Sequence, residues 1–232
     1  MEDDIVKLVF LGVFAWTSAF LLFRGIFPKR SFDFCSRLVS TSHATLAVIL
    51  SSLSIEDWRS PVCHAPKSST RQMEALALSL SYLIYDLICS QFDERVLLDN
   101  TIHHLVSIVG IGSALISQKC GSELIVALLI TEISSPFLHL REILKELGYR
   151  DTNLNLAADI LFALIFSIAR MVGGPYLAYV TLSATNPPLI KVMAVGLQLV
   201  SAFWFYKIAR MVRYKLIKRT TYKSTVHNDQ TN

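Results

Sequence analysis

His103 and His104 stand side by side in an apolar stretch of the chain. A nearby carboxylate could make either imidazole a general base by fixing its tautomer and raising its basicity. Asp86 and Asp159 are the candidate carboxylates. Neighbours on a helix point about 100° apart, so only one histidine can face a given partner squarely. If the protein is an enzyme these two are the catalytic candidates; the chemistry-free alternative is a pair that caps and anchors a helix start among lipid headgroups. No third histidine or carboxylate follows at i+4, and the four cysteines show no CxxC or Cys/His spacing, so no metal is expected.

The run Glu132-Ile-Ser-Ser-Pro-Phe-Leu-His-Leu-Arg141 carries the next polar group. Pro136 removes a backbone bond and bends the helix, while Ser134 and Ser135 can satisfy carbonyls it frees. Glu132, one turn earlier, then sits on the bent wall. Arg141 could hold a lipid or Coenzyme A phosphate, with plain interfacial snorkelling as the alternative. Further on, Arg170 precedes Gly173-Gly174-Pro175, and Glu123, at similar depth, is its expected structural ion-pair partner.

These residues lie in a chain of 232 residues that is 53% hydrophobic and only 17% charged, with mean hydropathy +0.47. Apolar stretches of about 20 residues, each long enough to cross a bilayer core, recur along it. That excludes a secreted disulfide scaffold, a disordered chain and a cytosolic enzyme. The expected fold is all-α and polytopic, with seven spans: Ile5–Phe27, Phe32–Ile55, Met73–Phe92, Thr101–Ser117, Ser122–Leu140, Leu154 to about Tyr179, and Leu189–Val212. The polar residues from 219 to 232 read as a disordered cytoplasmic tail.

Basic residues near spans stay on the cytoplasmic side. Seven spans put 14 of the 22 Lys and Arg on the C-terminal side of the membrane and 6 on the other. The C-terminus is therefore expected in the cytoplasm and the acidic Met1–Asp4 start opposite, without the basic n-region of a cleaved signal peptide. The cations from Lys207 to Lys223 fit anionic headgroups or a simple topogenic signal, and nucleic acid is not an expected partner. Cys35 and Cys89 fall within spans, whereas Cys63 and Cys120 fall in connectors on the oxidising side, where a bridge and two free thiols are both open readings.

Ionisable groups inside hydrocarbon usually face a protein interior or a wet cavity. At 1.5 Å per residue, His104, Asp159, Asp86 and Glu132 lie about 5, 7, 9 and 12 Å from the cytoplasmic ends of four different spans. With His103 they are expected to form one polar cavity that takes a lipid headgroup.

The paired histidines, the acid-Ser-Pro-Phe-x-x-x-Arg run and the Arg-x-x-x-Gly-Pro element, in this order on consecutive spans, resemble the TLC-domain family, and most of all its small TLC-domain-containing branch. The resemblance covers roughly Pro28 to Lys218, with residues 1–27 as a separate first span. His103-His104 matches the family's histidine pair; Glu132, Ser134, Pro136, Phe137 and Arg141 match the run of the non-synthase branch. Ceramide synthases, the family's enzymes, add an Asp-x-x-Asp on the next span, and this chain has no Asp between Asn100 and Arg150. The resemblance implies six spans around a central cavity, the first span outside it, in the endoplasmic reticulum or another cellular membrane.

The leading expectation is a protein, with no cofactor, that binds membrane lipids or acyl chains and influences membrane lipid composition. One alternative is an acyl-CoA-dependent acyltransferase using His103 or His104, with acyl-CoA as substrate; the other is a proton or ion pathway. Topology is directly testable. A C-terminal tag should be digested from the cytoplasmic side and an N-terminal tag only after the opposite compartment is opened; protection of both tags from the same side means an even number of spans.

Overall fold

A computed structural model describes residues 2–62, 67–92 and 98–229. Among them there is no strand, and the helices fall into seven continuous segments. α1 (Glu2–Ile26) and α2 (Phe32–Ser54) are joined by a short turn, followed by α3 (Thr70–Ser90) and α4 (Leu98–Ser117). The fifth segment is α5 (Gly121–Glu132) continued by α6 (Ser135–Glu146). The sixth is α7 (Asn153–Ile168), a π-helical turn (Ala169–Gly173) and α8 (Gly174–Ser183). α9 (Pro188–Asp229) is the seventh.

Local chemistry sets the starts. Ser31 caps α2 by accepting from the Phe34 N–H at 3.0 Å, and its own N–H and hydroxyl donate to the Glu146 carboxylate, which ties α2 to the end of α6. Ser69 and Gln72 form a reciprocal capping box on α3, so two otherwise orphaned donors find partners. Thr152 caps α7 by accepting from the Asn155 N–H. Each cap fixes where a helix emerges, and with it which residues reach the interior.

Six segments are long and apolar enough to cross a membrane, and α2 is the one that is not. α2 holds six serines and two threonines in 23 residues. Ser40, Thr41, Ser42, Thr45, Ser51 and Ser54 all donate to the carbonyl four residues back. Their hydroxyls are therefore satisfied inside the helix, which is what hydrocarbon demands and what a hydropathy sum does not register. At about 34 Å long, α2 packs among α1, α3, α5 and α6 as an internal member of an all-α membrane bundle.

α1 lies against the outside of α3 and α2. The contact is close because Gly12 faces Ser81, whose hydroxyl also accepts from Trp16 Nε1 at 3.2 Å. At the other end of the chain, α9 is 42 residues, about 63 Å, roughly twice the hydrocarbon thickness. The backbone from Arg219 to Asp229 is helical where polar composition suggested a disordered tail. No Gly or Pro follows Gly196 to stop it. Residues 230–232 lie outside the described residues.

The Gly12 contact yields a stability test. A Cβ there would sit 2.2 Å from Ser81 Oγ and 2.6 Å from Ser81 Cβ. Gly12→Val should therefore lower stability by about 1–3 kcal/mol, the usual cost of overpacking, read as a fall in the thermal midpoint of detergent-solubilised protein. An unchanged midpoint would mean that α1 is not seated on α3 through this face.

Candidate functional site

A partly open cavity of about 90 Å³ lies at the centre of the bundle, walled by α2, α3, α4, α5, the π-turn, α8 and α9. α1, α6 and α7 contribute no lining residue. Most of the wall is apolar, including Val106, Leu128, Leu177, Met193 and Leu197. One pole is polar: His43, His103, Glu132 and Arg170. In this measure the enclosed space holds several waters or a short stretch of chain, and anything longer must continue into the surrounding bilayer.

Arg170 is placed by the break in the sixth segment. The π-turn loosens the helix at Ala169–Gly173 and Pro175 restarts it as α8. Gln198 Nε2 donates to the Arg170 carbonyl at 3.3 Å, and Gly174 leaves room for that same Gln198 side chain. The guanidinium is 4% exposed, yet well provided for. It donates to Thr131 O at 2.6 Å and to Ser201 Oγ at 3.4 Å, and lies over the rings of Phe166 and Trp204 at 5.2 and 5.4 Å. Its Nε has no protein partner.

The expected Glu123–Arg170 ion pair is not formed. Thr131, which Arg170 bonds, lies eight residues beyond Glu123 on the fifth segment, about 12 Å along the helix. Glu132, adjacent to Thr131, is the carboxyl group within electrostatic reach of Arg170 instead. Glu123 accepts from Ser122 Oγ at 2.9 Å and Asn186 Nδ2 at 3.1 Å, at the far end of the cavity. There the Cys120 thiol, left-handed in backbone (φ 62°), donates to Asn186 Oδ1 at 3.3 Å, and burial pushes its pKa up to about 11. Cys120 is a free thiol, and Cys63, with which it was one candidate to bridge, lies outside the described residues.

The histidine pair divides as 100° of helical rotation requires. Both rings are buried, 5.6 Å apart. His103 faces the cavity and packs 4.9 Å from the Trp204 ring. His104 turns to α3, with Nε2 at 2.9 Å from Asp86 Oδ2 and 3.1 Å from the Asn100 amide. A carboxylate only accepts, so it assigns the proton to Nε2 and leaves the unpartnered Nδ1 with the lone pair of a base.

The five residues expected in one polar cavity thus separate into three groups. His103 and Glu132 line it. Asp86 and His104 form a dyad beside it and are not lining residues. Asp159 is elsewhere, 3.3 Å from Arg141 Nε at the α6–α7 junction. Similar depth along neighbouring spans does not fix which way a helix face looks.

The proline run does break the fifth segment. Ile133 and Ser134 join α5 to α6 in right-handed backbone, Pro136 sits in the first turn of α6, and Ser135 Oγ donates to Thr131 O at 3.3 Å. Ser134 is 1% exposed. Phe137 packs against the Phe162, Phe166 and Ile208 cluster. Arg141 is buried between Glu142 (2.8 Å) and Asp159 and lies over the Phe162 ring at 5.4 Å, so it is an internal tie between α6 and α7 where a phosphate site or an interfacial snorkel was expected.

Two contributors escaped the sequence reading. His43 stacks face to face on Tyr82 (3.7 Å, 7°), and Tyr82 in turn donates to Ser40 Oγ at 2.8 Å. Its position inside the second span is the signal that would have found it, because an imidazole in hydrocarbon needs a reason. Trp204 carries no such signal, since only packing brings it to His103 and Arg170. Among the described residues no three His, Cys, Asp or Glu side chains converge as metal ligands would.

Comparison with known sequences agrees with this architecture. TLC domain-containing protein 4-B of Danio rerio is 30% identical over 227 residues, 88% of this chain and 85% of that protein. A TLC domain-containing protein of Acanthamoeba polyphaga mimivirus is 28% identical over 120 residues, half of this chain, and the match spans 60% of the viral protein, less than two thirds of it. The family model described as the TLC domain matches residues 26–210, from the end of α1 into α9 beyond the cavity. A bundle with α1 outside, a central cavity in the matched region and this similarity lead to one conclusion: the chain belongs to the TLC-domain family.

Proposed function

We propose that this protein binds a lipid or acyl chain in the central cavity and so influences the lipid composition of its membrane. One juxtaposition carries the reading: a polar pole of His43, His103, Glu132 and Arg170 set against apolar walls. Arg170 Nε, His43 Nε2 and His103 Nδ1 lack protein partners there. An unpaired polar group out of water costs roughly 2–7 kcal/mol, so a headgroup or water is required to meet them, and a headgroup brings a tail that suits the walls. We assign the protein to the endoplasmic reticulum membrane, in keeping with its family, and its C-terminus to the cytoplasm, in keeping with the distribution of Lys and Arg.

One observation favours an acyl-CoA-dependent acyltransferase as a second reading: the Asp86–His104 contact at 2.9 Å, which is the geometry of an oriented general base. The proton-pathway reading loses support because Asp159 is engaged by Arg141, away from the others.

Mass spectrometry of lipids co-purifying with the protein separates these. Replacing His103 and His104 together by alanine, or Glu132→Gln, should change the amount or class of bound lipid, with no turnover of acyl-CoA by the wild type. Unchanged lipid in both variants removes the binding reading. Acyl-CoA turnover that falls about 10²-fold or more in the histidine variant establishes the enzyme instead.

A further inference from the structure

We propose that Trp204, held by Asp99, is the door of the cavity at the end of α9 that carries Lys207. On α4 the last lining residue toward that end is His103, and Asp99 stands one turn beyond it. On α9 the last is Ser201, and Trp204 is on the next turn. Trp204 Nε1 donates to Asp99 Oδ2 at 2.6 Å, and Lys207 Nζ donates to the same oxygen at 2.9 Å. The indole therefore spans the mouth between the two helices. Its ring covers both polar groups just inside, His103 at 4.9 Å and Arg170 at 5.4 Å.

Exposure changes abruptly across this clasp. Lys207 and Asp99 side chains are 50% and 19% exposed, whereas Ser201, Arg170 and His103 one turn inward are 3%, 4% and 7% exposed. The indole stands between the two and packs against the Phe162, Phe166 and Ile208 cluster. Further along the same seam Gly110 lies opposite Met193 and Gly196 opposite Val106, where α4 and α9 run alongside each other. The Asp99 end is closed by one hydrogen bond and one half-exposed ion pair, which water can replace on opening, while at the opposite end Asn186 bonds Glu123 and Cys120. Asp99 is thus a positioning residue for Trp204, and a headgroup bound for the polar pole passes between them.

The molecule that passes is the lipid of the proposed function, but the test reads access alone, so failure here leaves the lipid reading intact. Ser201→Cys puts a thiol one turn behind the door, and Thr181→Cys puts one at the opposite end of the cavity. The protein in lipid nanodiscs is treated with a charged methanethiosulfonate, and adducts at each position are counted by peptide mass spectrometry. Asp99→Asn, which breaks the ion pair, and Trp204→Ala, which removes the ring, should each raise the labelling rate at position 201 about 5-fold or more, with no matching rise at position 181. A smaller rise at 201 in both variants, or an equal rise at 181, overturns the assignment.

Discussion

A guanidinium in hydrocarbon has no solvent to turn to, and nearly every feature around the cavity can be traced to keeping Arg170 supplied. α5 provides the Thr131 carbonyl, α9 the Ser201 hydroxyl and the Trp204 face, α7 the Phe166 face. The fifth, sixth and seventh segments are thereby held to one point. The carbonyl of the same residue accepts from Gln198, so the backbone and the side chain of Arg170 both grip α9. A cation that is this expensive to bury serves as a fixed centre around which the helices take their positions.

The second polar system is kept apart from the first. Arg141, Glu142, Asp159 and Lys145 form a local ionic network between α6 and α7, with the Ser31–Glu146 contact tying the same end to α2. Breaking such buried pairs strands a charge, so their role is to fix α6 after the Ser134–Pro136 break. Separation matters chemically. With Arg141 engaged at the α6–α7 junction, Arg170 is the arginine that lines the cavity, and Glu132 lines it too.

The all-α class and the number of helical segments were readable because a 20-residue apolar run has few other uses, and the proline break followed from backbone chemistry at Pro136. What could not be read was azimuth. Asp159 and Asp86 are expected at similar depth, yet one faces α6 and the other α4, and the rotation of each helix is decided by packing that a linear pattern does not encode. The Glu123 pairing failed because Arg170 lies level with Thr131, about 12 Å further along the fifth segment than Glu123. α2 is the reverse case, a helix whose hydropathy understates its fitness for lipid because its hydroxyls are already bonded.

The π-turn has one more consequence. A wide turn holds an additional residue for the same advance, so the segment after it is rotated by about 100° relative to an uninterrupted helix. α7 and α8 therefore behave as one membrane crossing with two headings: α7 looks toward the ionic network, and α8 presents Gly174, Leu177 and Thr181 to the cavity. An insertion of a single residue has split one crossing between two tasks, and the residue at the crease is Arg170, the side chain whose environment had to be built from both sides.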